Sequence, residues 1–201
     1  MKMKKGFTLL ELLIVIGILA ILSTTVILVI NPAQLLKKAR DSQRISDLNT
    51  LKTAIAYYIT EVGDPELGSA YNVQTYSDVA TVKCNANATE ASITAQTVDG
   101  SGWIPIKFTD IPGGSPIGSL PADPNASLST GNTVYHYAYL VSTSTYSIFK
   151  LAAEMESDYY SNGGGGDVES KDGGTNNNLY EVGTDMTIPI TTSTKCYNGT
   201  L

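Results

Sequence analysis

The sequence predicts an α+β fold, in which a long N-terminal α-helix packs on a small antiparallel β-sheet that forms a globular head. Residues 7–30 carry a single charge, and apolar residues then recur mostly every three to four positions as far as Val62, as expected for a long helix. Residues 133–142 and 145–155 are rich in tyrosine and β-branched residues and are divided by a short polar segment, the pattern of an antiparallel hairpin. A chain of 201 residues accommodates one modest domain and such an appendage.

Composition narrows the classes of function. Charged residues make up 16% of the chain and its formal net charge is −6, whereas proteins that bind nucleic acids are normally basic. General nucleic-acid binding is therefore disfavoured, although a global sum does not exclude a local basic patch such as Lys37, Lys38, Arg40 and Arg44. No GxSxG, P-loop or HExxH motif accompanies the single histidine, His136, so the sequence does not predict an enzyme.

The first element, residues 7–30, is long enough to cross a membrane. At the helical rise of 1.5 Å per residue it measures about 36 Å, against about 30 Å for the hydrocarbon core of a bilayer. A secretory signal peptide is the alternative, but its apolar core is about 7 to 15 residues long and ends at a small-residue cleavage site, and neither condition holds here. Basic residues flank both ends of the segment, so the positive-inside rule leaves its orientation open.

The second element is an amphipathic helix that follows Asn31 and Pro32, a pair expected to bend or interrupt the helix. We expect its apolar side to pack on the head and its charged side to face water. Gly63, Asp64 and Pro65 then end it. The apolar positions are Leu35, Leu36, Ala39, Ile45, Leu48, Leu51, Ile55, Tyr58, Ile59 and Val62. The polar positions between them are Lys37, Lys38, Arg40, Asp41, Gln43, Arg44, Asp47 and Lys52.

The head, residues 63–201, begins with a segment that prolines and glycines interrupt. We interpret that segment as loops, with one strand at Trp103 to Phe108. After the hairpin, the polar residues 161–178 are predicted to form a loop. Short strands then return at Leu179 to Val182 and at Met186 to Ile190.

Glu11 is the one charged residue of the apolar segment and needs either a partner or a functional reason, because a carboxylate inside a bilayer costs a few kcal/mol. A cut between Gly6 and Phe7 would create an α-amine one helical turn before Glu11. That amine would neutralise Glu11 within the same helix, or from a neighbouring subunit when helices pack with an axial stagger, which would make the charge a register device. The alternative is that Glu11 lies near the membrane edge and reaches the headgroups.

The segment KKGFTLLELLIVIGILAIL, residues 4–22, resembles the N-terminal signal of type IV pilins and of the related pseudopilins of type II secretion. In that family an inner-membrane prepilin peptidase cleaves after the glycine and methylates the new amine. The resemblance therefore implies that Gly6 and Phe7 form the processing site and that Glu11 is the assembly residue. It also implies that the helix loosens between Gly17 and Pro32 in the filament.

Farther along, LPADPN, residues 120–125, and the two strand-like runs after it resemble the pilin head, in which such a loop precedes the antiparallel sheet that packs on the helix. This implies a single-pass inner-membrane precursor with a cytoplasmic N-terminus and with residues 31–201 outside, followed by an extracellular or periplasmic filament. In an exported head, Cys84 and Cys196 are expected to form a disulfide; two separate buried thiols are the alternative.

Residues 158–169 can be aligned with the twelve-residue calcium loop, in which oxygen ligands recur along a flexible turn. Asp158, Asn162, Gly163 and Glu169 fit that pattern, and Tyr160 does not. Calcium is the one cofactor that the sequence suggests, and some pilins and pseudopilins hold it in loops of the head. A solvated acidic loop is the alternative. The candidate ligand set is Asp158, Asn162, Gly164, Asp167, Glu169 and Asp172.

These features predict a structural subunit of a type IV pilus-like filament, with a major pilin favoured. Its expected partners are prepilin peptidase, the inner-membrane assembly machinery, the membrane, and copies of itself or related pilins. The alternatives are a pseudopilin or minor pilin of a type II secretion or DNA-uptake system, and a membrane-tethered ligand-binding head. The predicted division is a cleaved leader at 1–6, an assembly helix at 7–30, an amphipathic helix at 31–62 and the head at 63–201.

Overall fold

The computed structural model describes residues 6–68, 74–76, 91–92, 95–125, 135–142 and 148–188. These residues form a long N-terminal helix in two parts and a small, mainly antiparallel sheet, so the predicted α+β, pilin-like fold class is confirmed. Helix α1 spans Leu9–Ile30 and helix α2 spans Pro32–Glu61.

The predicted interruption between the two helices is confirmed at Asn31. Its backbone is left-handed, with φ of 45°, a conformation that asparagine adopts more readily than most residues. The Asn31 side chain accepts a hydrogen bond from the N–H of Gln34, and Pro32 occupies the first position of α2, where its missing N–H removes no helical hydrogen bond. Helix α2 ends at Glu61, just before the predicted stop at Gly63.

Within the described residues the sheet has five strands, in the order β2–β1–β3–β4–β5. The strands are β1 (Gln74–Tyr76), β2 (Ala91–Ser92), β3 (Ala138–Ser142), β4 (Ile148–Ala153) and β5 (Tyr180–Gly183). All neighbouring strands are antiparallel except β1 and β2, which pair in parallel. Tyr139 of β3 faces Leu151 of β4, which confirms the predicted hairpin. Strand β5 confirms the short strand expected near Leu179 to Val182.

Two predicted strands are wrong. Trp103 to Phe108 form no strand: Lys107 makes one isolated bridge with Asp99, and a short 3-10 helix occupies Phe108–Asp110. The apolar side chains of this segment enter the core individually, and the Trp103 indole N–H donates to the carbonyl of Pro121 at 2.9 Å. This apolar segment therefore fills the core with only isolated backbone pairing and forms no continuous strand.

The second wrong strand begins at Met186. Residues 186–188 form a turn, because the Asp185 carboxylate accepts hydrogen bonds from both the N–H and the hydroxyl of Thr187. Residues 189–190 lie outside the described part of the chain.

The core lies between α2 and one face of the sheet. Leu48, Leu51, Ile55 and Tyr58 recur every three to four residues on α2 and are buried. Burying each such side chain stabilises the fold by about 1.5–3 kcal/mol. The sheet and the residue before β3 contribute Tyr137, Tyr139, Val141, Phe149, Leu151, Ala153 and Val182 to this core. Its other face is covered by the C-terminal part of the head, through a smaller cluster of Ala138, Leu140, Ala152, Leu179 and Ile188.

Candidate functional site: the exposed N-terminal helix and its joint with the head

The described side chains of helix α1 do not pack into the core of the protein. Every described side chain between Leu9 and Val26 is exposed, and the exposed fraction of Leu9 is 89%. This stretch is also the one described helix long and apolar enough to cross a membrane. An exposed apolar surface of this size has to be covered by lipid or by other helices, because contact with water costs about 25 cal/mol per Å².

The start of α1 places the predicted processing and assembly residues. Gly6 and Phe7 precede the helix and are exposed, and Thr8 is its N-cap, with the hydroxyl accepting the N–H of Glu11 at 3.2 Å. Glu11 therefore lies in the first turn, where the helix dipole favours a negative charge. The spacing T-x-x-E of Thr8 and Glu11 is the sequence signal for this cap, which was not among the predictions.

The three hydroxyl-bearing residues inside α1 form hydrogen bonds within the helix. The hydroxyls of Ser23, Thr24 and Thr25 donate to the carbonyls of Leu19, Ala20 and Leu22 at 2.7–2.9 Å. Such bonds leave no free donor toward lipid, so these hydroxyls are compatible with a membrane span. The helix is continuous through Gly17, and its first break is at Asn31.

A cluster of buried charges, which we call the helix–head joint, fixes α2 to the head. Its members are Arg40, Asp41, Arg44, Asp123 and Glu156. Arg44 donates through Nε and Nη2 to the two oxygens of Asp123, at 2.7 and 2.8 Å, and through Nη1 to Asp41 at 2.7 Å. Arg44 also bonds Glu156, and Arg40 bonds both oxygens of Glu156 at 2.6 and 2.9 Å.

The joint contradicts one expectation from the sequence. Asp41 and Arg44 were predicted to face water, whereas both are fully buried. They avoid the penalty of isolated buried charges because their polar atoms are matched: Asp41 also accepts the main-chain N–H groups of Glu156 and Ser157, each at 2.8 Å. The joint therefore connects α2 to the loop at Asp123 and to the residues that follow β4.

Electrostatic effects in the joint follow from these contacts. Burial alone would lower the pKa of Arg44, but the hydrogen bonds and charge of Asp123 outweigh it and raise that pKa above its ordinary value. Burial likewise would raise the pKa of Glu156, but bonds from Arg40 and the charge of Arg44 lower it. Next to the joint, burial raises the pKa of Asp47, whose carboxylate accepts the hydroxyl of Tyr137 at 2.8 Å.

A second buried ion pair lies on the sheet. Lys150 of β4 and Glu181 of β5 are both inaccessible to solvent, and Nζ of Lys150 lies 2.6 Å from the Glu181 carboxylate. The ammonium group also donates to the hydroxyl of Thr175 and to the carbonyl of Met186, at 3.1 and 3.0 Å. Its three donors are therefore occupied, and the pair links the strands to the polar loop before β5.

The six predicted calcium ligands lie in a loop, residues 157–174, whose carboxylates accept hydrogen bonds from the chain itself. Asp167 accepts from the N–H of Gly163 and from Ser170, and Glu169 accepts from the N–H of Met155 and of Asn162. Asp158 bonds Gln34, and Asp172 bonds the N–H groups of Gly174 and Glu181. Among the described residues no three acidic, histidine or cysteine side chains are grouped to hold a metal ion. Calcium binding stays a prediction.

Of the remaining candidate residues, the histidine lies in the core and the two cysteines lie outside the part of the chain that the structure describes. His136 is buried two residues before the start of β3, so it belongs to the packed head. Cys84 and Cys196 both lie outside the described residues, and their disulfide stays a prediction.

The comparisons with known proteins bear on the N-terminus. Residues 1–27 match the model of the prokaryotic N-terminal methylation motif. This chain carries a type IV prepilin-type signal. No curated protein and no solved structure matches the chain. The prepilin-type signal supports a type IV pilin-like precursor that prepilin peptidase processes, and with the apolar α1 it supports a membrane-anchored precursor. It points to a structural subunit that assembles with pilins rather than to an enzyme.

Proposed function

We propose that this pilin-like precursor is a major pilin, the repeating subunit of an extracytoplasmic type IV pilus-like filament. The observation that supports this most is α1 itself: a 22-residue apolar helix, exposed along its described length, that directly follows the processing signal. In the precursor the bilayer covers this helix. In the filament the α1 helices of neighbouring subunits cover one another, so apolar burial supplies the cohesion.

In this proposal cleavage occurs between Gly6 and Phe7, and Glu11 sets the register of the subunits. Because α1 begins at Leu9, Phe7 lies outside the helix and is not held in a helical i, i+4 pair with Glu11. This supports the α-amine of a neighbouring subunit as the partner of the Glu11 carboxylate. Loosening of the helix between Gly17 and Pro32 and a disulfide between Cys84 and Cys196 belong to the same proposal.

Mass analysis of the N-terminus of the mature native protein tests the processing step. The expected result is a chain that begins at Phe7 and carries one added methyl group. Normal filaments built from subunits that retain residues 1–6 would contradict the proposal.

Glu11→Ala tests the assembly step. We expect the variant to reach the membrane and to be processed, but not to appear in sheared filaments, because its α1 lacks the charge that fixes the axial offset. Glu61→Ala, at the exposed end of α2, is the matched control and should assemble normally. Normal filaments built from Glu11→Ala would contradict the register role of Glu11, whereas a membrane-tethered head would keep its function in Glu11→Ala without forming filaments.

Abundance separates a major pilin from the related subunits. A major pilin should be the dominant protein of sheared filaments. A subunit that stays with the cells, and whose deletion blocks secretion or DNA uptake, would instead be a pseudopilin or minor pilin.

A further inference from the structure

The head contacts the first turns of α2 through the loop that begins at Ser157. The amide of Gln34 donates to the Asp158 carboxylate at 3.0 Å and accepts the Asp158 N–H at 3.3 Å. One turn farther along α2, Nζ of Lys38 lies 3.9 Å from the centre of the Tyr159 ring. These contacts hold the loop against the part of α2 that is nearest in sequence to the membrane-spanning helix.

Around these contacts lies a band of side chains that the filament proposal does not use; Leu35 to Lys38 are consecutive in α2, so the band encircles its first turns. It combines exposed apolar side chains with an aromatic ring and two amines: Leu35 and Leu36 are 58% and 62% exposed, and Tyr159 is 41% exposed. We call it the basal surface, and it consists of Leu35, Leu36, Lys37, Lys38 and Tyr159.

The basal surface lies close to the end of the membrane span by chain length alone. Gln34 is the fourth residue after Ile30, the last residue of α1, and four fully extended residue steps cover at most about 14 Å. Along α2, Lys38 is about 9 Å from Pro32. The headgroup layer on each side of a bilayer is roughly 5–8 Å thick. When α1 spans the bilayer, the basal surface is therefore at or directly above the headgroups.

The chemistry of the surface fits that position. Tyrosine, with an apolar ring and a polar hydroxyl, is concentrated at membrane interfaces, and lysine amines bind anionic lipid phosphates while their stems cover apolar area. Asp158 is the acidic side chain beside Tyr159, and its carboxylate is occupied by Gln34. Two amines and one carboxylate leave the surface with a positive charge.

We propose that the basal surface binds the headgroup layer of the bilayer that α1 spans. The amine of Lys37 contacts lipid phosphates, and Tyr159 and Leu35 enter the layer between phosphate and acyl chain. The head of the precursor then rests on the membrane surface and is not free to swing about the break at Asn31. This proposal depends on the membrane-anchored precursor and not on the filament.

Depth-resolved fluorescence tests the contact. The chain contains one tryptophan, Trp103, which is fully buried and gives a constant background. Full-length Tyr159→Trp would be reconstituted in nanodiscs that contain anionic lipid and a lipid with a spin label on its headgroup. We expect the label to quench the emission of the new tryptophan, with the wild-type signal subtracted.

Tyr57→Trp is the matched control. Tyr57 is also on the surface, 42% exposed, but lies about 34 Å farther along α2 than Gln34, beyond the reach of a headgroup label. Equal quenching of the two variants, or none in Tyr159→Trp, would overturn the proposal. Asn162→Trp, exposed in the same loop, replaces Tyr159→Trp if that variant does not fold, as judged by its thermal melt.

Lys37→Gln tests the electrostatic part. On anionic nanodiscs it should lower the ratio of docked to free heads about fivefold, as expected for one amine near an anionic membrane surface. Lys52→Gln, exposed and farther along α2, should leave this ratio unchanged. The effect of Lys37→Gln should disappear in neutral lipid; the same effect there would overturn the phosphate contact.

Two further outcomes separate this proposal from others. The quenching of Tyr159→Trp by the headgroup label could decrease as the number of chains per nanodisc increases. A second copy would then cover the basal surface, and the proposed membrane contact would be wrong. Filament assembly is measured separately in cells. Normal filaments without quenching contradict only the membrane contact, and quenching without filaments contradicts only the filament.

Discussion

Arg44 and Asp123, 79 residues apart in the chain, meet through two parallel hydrogen bonds in the interior of the head. The planar guanidinium and the carboxylate match in geometry, which makes such a pair both strong and directional. It sets where α2 enters the head. The helix–head joint therefore fixes α2 to the head in addition to the apolar core that α2 shares with the sheet.

Replacing Arg44 by Met should destabilise the folded head by about 3–5 kcal/mol, because Asp41, Asp123 and Glu156 would remain buried without their shared cation. Chemical denaturation of the full chain in detergent measures this loss. Arg40→Met is the comparison: the Arg40 side chain is 26% exposed and Arg44 remains in place, so its loss should be smaller. Equal losses would contradict the larger contribution expected of Arg44.

Glu156 should make the stability of the head depend on pH in the acidic range. Its pKa is lower in the folded protein than its ordinary value of 4.5, because the bonds from Arg40 and the charge of Arg44 outweigh its burial. A carboxyl group with a lowered pKa stabilises the fold fully above its unfolded pKa and loses that contribution as the pH falls through the folded pKa. The free energy of unfolding should therefore decrease as the pH is lowered below about 4.5.

A variant separates this contribution from that of the other carboxylates. Glu156→Gln should be less stable than the wild type at pH 7, and the two should converge as the pH falls below 4.5. Glu61→Gln, at an exposed site, should follow the wild-type curve at every pH. Parallel curves for Glu156→Gln and the wild type would mean that the charge of Glu156 contributes nothing.

The buried pair of Lys150 and Glu181 should show strong energetic coupling. Lys150→Met leaves the Glu181 carboxylate buried without a cation and should cost about 3–5 kcal/mol. Adding Glu181→Gln removes the charge and keeps an acceptor for the N–H of Asn176, so the double variant should be more stable than the sum of the single losses predicts. Equilibrium denaturation of the four proteins gives the coupling, and strict additivity would contradict it.

Gly164 should be intolerant of any side chain. A Cβ at this position would overlap the main-chain oxygens of Asp158 and Tyr159, so Gly164→Ala should destabilise the loop by about 1–3 kcal/mol. Gly165→Ala is the neighbouring control, because its Cβ would meet only the Tyr159 ring, at 3.4 Å. The melting temperatures of the two variants provide the measurement, and similar values would show that the loop rearranges freely.

Calcium binding in the same loop predicts that EDTA lowers the melting temperature of the protein. A ligand present at about a hundred times its dissociation constant stabilises the folded state by about 2.7 kcal/mol. Added calcium should restore the original value, and added magnesium should not, because Mg²⁺ demands a tighter octahedral site. Asp167 and Glu169 already accept hydrogen bonds from N–H groups. The EDTA experiment therefore distinguishes a loop that binds calcium from a loop that its own hydrogen bonds stabilise. A melting temperature that EDTA leaves unchanged would exclude calcium.

The spacing of residues along α2 indicates which positions are buried, even where the residue is charged. Positions 41, 44, 48, 51, 55 and 58 recur every three to four residues, and all six are buried. The stripe was visible in the sequence. Asp41 and Arg44 are predicted to face solvent because charged residues are rarely buried without partners. Their partners, Asp123 and Glu156, are too distant in the chain for a local pattern to indicate them.

The sequence by itself determined the elements that depend on neighbouring residues. These are the prepilin-type signal, the apolar helix, its interruption at Asn31 and Pro32, and the hairpin of β3 and β4. Helical periodicity, the fixed geometry of proline and strand propensity act over a few residues and can be read directly. Only the tertiary structure decided that Arg44 is buried, that Trp103 enters the core without a strand, and that Tyr159 lies over Lys38. Each depends on free energy gained between segments far apart in the chain, which no local pattern records.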